Sequence, residues 1–124
     1  MPIHFTIDHQ ARYVEAKFDG LLVLKDVEDF CDSVVAADAL PYRKLIDGRT
    51  AFGKYTDADV MAMGARLSAY ATMSKRGALA LVPAPGTDLE LADRILNLGK
   101  DERPAKSFIS IDQARTWLAA QPEV

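Results

Sequence analysis

The sequence predicts a single α/β domain over residues 1–124, with a mixed, largely parallel sheet of four to five strands, βαβ crossovers and about four helices. Two short alternating strands stand close together at the start, which predicts an antiparallel hairpin. Helix and strand patterns then alternate to the end of the chain, an order typical of parallel strands joined by right-handed crossovers. A composition of 49% hydrophobic and 27% charged residues is ordinary for one globular domain.

The hairpin is predicted from period-two alternation. Apolar residues occupy every second position over 3–8 and again over 13–19, and a short turn at 9–11 separates the two runs. Such strands have one buried and one wet face. We expect Gly20 to end the second strand.

The first helix is expected from about Asp26 to Asp38. One stripe at helical spacing is apolar and consists of Val27, Phe30, Cys31, Val34 and Val35. Acidic residues in the first turn suit the positive end of the helix dipole. Because a lone buried thiol is more often a small core residue than a nucleophile, we favour a structural role for Cys31.

The central segment, residues 42–64, begins with a strand and a loop. The run from Tyr42 to Asp47 has an apolar centre and is expected to be a strand, which Pro41 separates from the preceding helix. Gly48 should end this strand, so that residues 49–55 form a loop.

The central segment continues into a second helix. Thr56 and Asp59 have the spacing of a capping box, and Tyr55 and Val60 occupy the two positions of a hydrophobic staple. The helix should end near Ser74. Its inner side is expected to hold Val60, Met63, Gly64, Leu67, Tyr70 and Ala71.

The rest of the chain repeats the strand-to-helix step. Residues 78–82 are apolar on both faces and should lie in the middle of a covered sheet. Thr87 and Glu90 have capping-box spacing for a third helix that should reach about Leu98, with Gly99 as its stop.

The last strand and helix follow a charged turn at 100–104. The strand is expected over 106–109. Ser110 and Gln113 are spaced as a third capping box, and the helix that they open carries Ala114, Trp117 and Leu118 before Pro122 closes it.

Charge and hydropathy exclude several classes of partner. Lys and Arg total 15 against 18 Asp and Glu, the net charge is −3, and no run of like charge occurs. Nucleic acid is therefore not an expected partner, because phosphate binding needs a clustered basic face. No apolar run approaches the roughly 20 residues that span a bilayer, and no leader pattern opens the sequence. We expect no stable membrane insertion and a cytoplasmic location.

Motifs for catalysis and metal binding are missing from the sequence. It contains no Gly-x-Ser-x-Gly elbow, no Cys-x-x-Cys and no histidine pair at metal spacing. Acids in the first turns of the predicted helices are explained by capping, and they compete with phosphate for the same helix ends. Gly48 and Gly53 match no nucleotide fingerprint. We therefore expect a protein that is not an enzyme and that uses no cofactor and no metal.

The expected contact surface is the edge of the sheet where the parallel strands end, because the loops that leave those ends meet there. Aromatic side chains exposed beside arginine are typical anchors of protein interfaces. An alternative stays open, in which Phe52 folds inward and Tyr55 only staples the helix. With support from residues 83–87, the predicted partner-binding residues are Asp47, Arg49, Thr50, Phe52, Lys54 and Tyr55.

Several of these features together resemble the bacterial SpoIIAA-like proteins, relatives of the STAS anti-sigma-factor antagonists. They are the two-strand start, the strand that ends in Leu45-Ile46-Asp47, the capped helix, the apolar strand at 78–82, and Phe108 followed by Ala114, Trp117 and Leu118. The resemblance covers most of the chain. It implies a four-to-five-stranded sheet packed with helices and a non-catalytic regulatory role.

The resemblance also implies a phosphorylation site. STAS antagonists carry an Asp-Ser pair after the corresponding strand, and phosphorylation of that serine releases the partner. Asp47 matches the aspartate, whereas Gly48 stands where the serine would be. Thr50 is the nearest hydroxyl and becomes the candidate phosphoacceptor, since a phosphate there would lie near Arg49.

A second class of function follows from the wider resemblance to SEC14-type lipid-binding domains. A small apolar ligand would lie beneath the helical layer, where Met61, Met63 and Met73 could repack around it. Gly64 and Ala71 are small residues on the same helix. The expected partner is another protein, with a homodimer and a small apolar ligand as the alternatives.

Overall fold

The computed structural model describes residues 2–53, 56–97 and 103–123. Over these residues the chain forms five strands and four helices. In chain order they are β1 (Ile3–Asp8), β2 (Tyr13–Leu21), α1 (Leu24–Ala36), β3 (Arg43–Phe52), α2 (Asp57–Met73), β4 (Leu79–Val82), α3 (Leu89–Leu96), β5 (Ala105–Ser107) and α4 (Ile111–Ala119).

The five strands form one sheet in the order β1-β2-β3-β4-β5. The first two strands pair antiparallel, and every later neighbour pairs parallel, with one helix between each pair of parallel strands. The predicted mixed, largely parallel sheet with an antiparallel start is therefore confirmed. β4 lies between β3 and β5, and its mostly buried side chains fit the predicted central strand.

Helices cover both faces of this sheet. Because successive strand residues point to opposite sides, neighbouring residues of one strand contact helices on different faces. Ile46 packs in a core cluster with residues of α1 and α2, including Phe30 and Tyr70. Leu45, its neighbour in sequence, packs in a second cluster with Leu118 of α4. The domain therefore has two cores, one under α1 to α3 and one under α4.

The prediction that Gly48 ends the central strand is wrong. β3 continues to Phe52 because it stays paired with β2 beyond the glycine. Lys17 pairs with Asp47 and Asp19 with Thr50, so two residues of β3 stand opposite one residue of β2 in a β-bulge. A Cβ at Gly48 would lie 3.4 Å from the Val82 carbonyl oxygen, which is an ordinary contact distance.

Of the three predicted capping boxes, the one at α2 is confirmed, and at α4 the N-cap residue Ser110 is confirmed. Thr56 Oγ1 accepts a hydrogen bond from the Asp59 amide at 3.1 Å, and Asp59 Oδ2 accepts one from the Thr56 amide at 3.0 Å. At α4, Ser110 Oγ accepts from the Gln113 amide at 3.4 Å. The predicted staple partner Tyr55 lies outside the described residues, as does the stop at Gly99.

The predicted N-cap of α3, Thr87, lies one residue before the N-cap in the structure, which is Asp88. Asp88 Oδ1 accepts from the Glu90 amide at 3.0 Å, and the helix begins at Leu89. The Thr87 hydroxyl instead donates to the Ala84 carbonyl at 2.7 Å. It is used by the turn that follows β4 and is not available to the helix.

Candidate functional site

The four parallel strands end at one edge of the sheet, which we call the strand-end edge. Of the predicted partner-binding residues, Asp47, Arg49, Thr50 and Phe52 all belong to β3. The first part of the predicted loop, residues 49–52, is therefore strand. Lys54 and Tyr55 lie outside the described residues.

Asp47 and Arg49 form an ion pair on β3. The Arg49 guanidinium donates from Nε to Asp47 Oδ1 and from Nη2 to Oδ2, both at 2.9 Å, and the Arg49 amide donates to Oδ1 at 3.2 Å. These hydrogen bonds from Arg49 hold the pKa of the Asp47 carboxyl below its ordinary value. Asp47 is thus an ionised, fixed acceptor, and Arg49 is already engaged by it, which leaves less of its charge for an incoming anion.

Phe52 is 64% exposed at the end of β3, so its side chain does not fold into the core. Its neighbour across the sheet is Leu21, the last residue of β2, which is also exposed. Val23 and Ile109 follow the ends of β2 and β5, and both are exposed as well. The strand-end edge therefore carries several exposed apolar side chains.

The sequence identified Phe52 among these residues and missed the others. Ile109 was predicted to belong to the last strand, but β5 ends at Ser107 and leaves Ile109 outside the sheet. A signal was present, since all of these apolar residues stand at or just beyond the carboxyl end of a strand.

Between the sheet and α2 lies a groove of about 540 Å³ that reaches the strand-end edge, which we call the outer groove. A second space of about 210 Å³, the inner cavity, lies deeper beneath α2. The two share Phe18, Val27, Met63 and Leu81 in their walls, so they adjoin. Most of the walls of both are apolar side chains.

Few of the described side chains of α2 are buried, which fits the space between this helix and the sheet. Among its described side chains Tyr70 is buried, whereas Met63 and Leu67 are half-buried. Met61 and Met73 point to solvent, so of the three methionines proposed to surround a ligand, Met63 alone lines the groove.

Ion pairs tie α2 to α1 above the inner cavity. The Arg66 guanidinium contacts Glu28 and Asp32 of α1, both at 2.7 Å, and donates to the Tyr70 hydroxyl at 3.0 Å. The Tyr70 ring is part of the cavity wall. Arg66 thus ties the outer side of α2 to α1, and on the inner side the described Tyr70 and Leu67 pack in the core cluster.

Three basic side chains line the inner cavity. Lys44 of β3, Arg76 after α2 and Arg103 before β5 are 5%, 4% and 9% exposed, respectively. Lys44 Nζ donates to the Leu40 and Tyr42 carbonyls at 2.6 and 2.7 Å. Burial, helped by the two nearby guanidiniums, lowers the pKa of Lys44 to about 7.

This basic cluster was missed at the sequence level. Arg103 was assigned to an exposed charged turn, and the structure shows it buried, with Nη2 donating to the Leu96 carbonyl at 3.3 Å. Lys44 lies two residues before Ile46 and so shares its inward face, which is the one signal that the sequence offered.

Across the described ranges, no group of three or more His, Cys, Asp or Glu side chains is placed to hold a metal ion. None of the described helices combines the length and apolarity needed to cross a membrane.

The strand order, the antiparallel start and the helices on both faces define the chain as a mixed α/β domain. The fold is SpoIIAA-like. A crystal structure of an uncharacterised DUF3478-family protein with a SpoIIAA-like fold, from Shewanella loihica PV-4, matches with a TM-score of 0.60, at 22% sequence identity over 94% of this chain and 93% of that chain. No protein-family model and no curated protein matches the sequence.

Proposed function

We propose that this chain is a non-enzymatic, cytoplasmic regulatory domain that binds another protein through its strand-end edge. The observation that carries the proposal is the group of exposed apolar side chains at the ends of β2, β3 and β5, including Phe52 and Leu21. Large apolar side chains gathered at one edge mark an interaction site more often than scattered single ones do.

The proposed contact surface has an apolar centre and a charged border. Phe52 supplies an aromatic anchor, and the Asp47–Arg49 pair lies beside it on the same strand. Aromatic and arginine side chains are over-represented among the residues that dominate binding energy. Thr50 belongs to this surface, and Lys54 and Tyr55 complete the proposed set.

A charge placed at the apolar centre tests this surface. Affinity capture with the wild-type chain and with the Phe52→Arg variant is compared by quantitative mass spectrometry, and any protein lost with the variant is purified and titrated against both forms. Met73→Arg is the matched control, because Met73 is similarly exposed, at 60%, but lies at the far end of α2.

The proposal requires at least one purified protein whose binding Phe52→Arg abolishes and Met73→Arg preserves. Sedimentation over a concentration range tests whether the partner is a second copy of the chain. A homodimer formed by the wild type and lost in Phe52→Arg would identify it as the partner. Equal binding by the wild type and both variants would contradict the proposed surface.

Thr50 is the proposed phosphoacceptor on this surface. Its side chain is exposed, and its position on β3 lies opposite Asp19 on β2 and three residues after Asp47. A phosphate there would add negative charge near two carboxylates while Arg49 is held by Asp47. We expect Thr50→Glu to weaken partner binding and Thr50→Val to preserve it, as measured by calorimetry; equal affinities would contradict the switch.

Binding of a small apolar ligand is the second candidate function. The outer groove and the inner cavity under α2 favour it, since ligand sites are typically concave, largely apolar spaces of about 300–1,000 Å³. A dye for apolar cavities should bind the folded chain and be displaced by a fatty acid. A dye that does not bind would remove this candidate.

A further inference from the structure

We propose that β1 pairs antiparallel with the β1 strand of a second copy of this chain, about a two-fold axis at Thr6, so that the two sheets become one. This surface is the outer edge of the sheet and differs from the strand-end edge, so the inference does not depend on the function proposed above. The strand itself points to this partner, because its sequence is complementary to its own reverse.

The outer edge of β1 is open. β1 is the first strand in the sheet order, and it pairs with β2 alone among the described strands. The Asp19 amide donates to the Pro2 carbonyl at 2.7 Å, and bonded residues alternate along an antiparallel strand. The even-numbered residues of β1 therefore bond to β2. The odd-numbered residues direct their N–H and C=O groups away from the sheet, and these residues are Ile3, Phe5 and Ile7.

β1 lacks the features that usually protect an edge strand. Such strands are commonly very short, or they carry Lys, Pro or a β-bulge that hinders pairing with another chain. β1 has six residues, contains neither Lys nor Pro, and keeps an unbroken register with β2. At the opposite edge of the sheet, β5 has three residues and includes Lys106. Of the two edges, β1 is thus the one suited to pairing.

The outward backbone groups limit the possible registers. Because they belong to odd-numbered residues in both copies, odd residues must face odd residues across the new pair. With Thr6 opposite Thr6 of the second copy, His4 lies opposite Asp8. Phe5 then lies opposite Ile7, and the two exchange both backbone hydrogen bonds. A centre at Phe5 or Ile7 instead would place His4 or Asp8 opposite Thr6 and separate the charged pair.

The polar face of β1 is complementary in this register. His4, Thr6 and Asp8 are all exposed. The Asp8 carboxylate is positioned by the Ala11 amide, which donates to Oδ1 at 2.9 Å, and an imidazole N–H from His4 of the second copy would donate to the same carboxylate. Opposite charges and paired threonines facing each other across two strands stabilise a sheet. The two-fold axis repeats the His4–Asp8 pair.

The apolar face of β1 is complementary as well. The Phe5 ring packs edge-on against Phe30 of α1, with ring centroids 5.2 Å apart, yet Phe5 stays 37% exposed. Ile7 is half-buried against the same core cluster. In the dimer, Ile7 of the second copy would cover the exposed part of the Phe5 ring. The core under α1 would then continue across the two-fold axis.

Sedimentation velocity of the full chain over a wide concentration range tests the proposal, and a monomer–dimer equilibrium is expected. Thr6→Lys places two ammonium groups side by side at the axis and should raise the dissociation constant of the dimer by about tenfold. Thr6→Val should preserve it. Thr72→Lys makes the same change at an exposed threonine of α2 and should also preserve it. Circular dichroism verifies the fold of each variant.

Disulfide cross-linking tests the register. In a Cys31→Ala background, Thr6→Cys should link two copies under mild oxidation, because facing residues that do not share hydrogen bonds have Cα atoms about 4.5 Å apart. His4→Cys is the matched control at an exposed position of the same strand. Its counterpart in the second copy would lie about 13 Å along the strand, so this variant should remain unlinked.

A chain that stays monomeric over the whole concentration range would overturn the proposal. A dimer that Phe52→Arg dissociates and Thr6→Lys preserves would also overturn it, and would place the second copy on the strand-end edge. Equal linking of Thr6→Cys and His4→Cys would refute the register. Conversely, a dimer lost in Thr6→Lys and retained in Phe52→Arg supports pairing through β1 whatever the outcome for the strand-end edge.

Discussion

Lys44 should make the domain more stable as the pH rises from neutral to mildly alkaline. The folded chain loses the Lys44 proton at a pKa of about 7, whereas an unfolded lysine keeps its proton up to about pH 10.4. Between these values the unfolded state binds more protons, so the free energy of unfolding increases with pH. The expected contribution of Lys44 between pH 7 and pH 9 is about 2 kcal/mol.

The Lys44→Met variant isolates this effect. Removing the ammonium group leaves the Leu40 and Tyr42 carbonyls without their donor, at a cost of about 1–3 kcal/mol each, so absolute stability is a poor measure. The pH dependence is clearer. Urea unfolding followed by circular dichroism at several pH values should give a difference between wild type and variant that shifts by about 2 kcal/mol in favour of the wild type from pH 7 to pH 9.

Two controls make the measurement specific. Burial raises the pKa of the Cys31 thiol, which costs stability at alkaline pH, but both proteins retain Cys31 and the effect cancels in the difference. Lys75→Met removes an exposed lysine and should preserve the wild-type pH dependence. Parallel curves for wild type and Lys44→Met between pH 7 and pH 9 would show that Lys44 is not a buried, easily deprotonated amine.

Three further substitutions test the packing. Gly77→Ala should destabilise the domain by more than about 2 kcal/mol in urea unfolding, because a Cβ there would overlap the Tyr42 carbonyl, whereas Gly48→Ala meets only ordinary contact and should cost clearly less; equal losses would contradict this. Arg43→Ala should cost about 1–2 kcal/mol, since Arg43 Nη1 donates to the Ala119 and Gln121 carbonyls at the end of α4; an unchanged denaturation midpoint would refute that role. Phe52→Ala should change the unfolding free energy by less than about 0.5 kcal/mol because the ring is largely exposed, and a loss above 2 kcal/mol would make Phe52 a core residue.

The sequence predicted those parts of the fold that local patterns encode. Alternation over 3–8 and 13–19 predicted the hairpin, and the spacing of Thr56 and Asp59 predicted the start of α2, because a side chain three residues away can satisfy a free helix amide in any context. The order of elements then predicted a largely parallel sheet and the strand-end edge as its contact surface.

Long-range contacts explain what the sequence did not predict. β3 passes through Gly48 because β2 continues beside it, and a glycine alone does not reveal whether the chain turns or approaches another strand. Arg103 reads as an exposed residue in a charged segment, yet the packing of α3 and β5 buries it.

The candidate sites also differ in whether local sequence patterns or long-range contacts define them. The sequence by itself predicted the parallel-strand edge with Arg49 and Phe52 on it, since this follows from element order and residue type, and the structure decided that the Phe52 side chain is exposed and not folded inward. Only the tertiary structure decided that Lys44, Arg76 and Arg103 meet under α2, because residues distant in the sequence share a cavity through the crossovers and not through any local pattern.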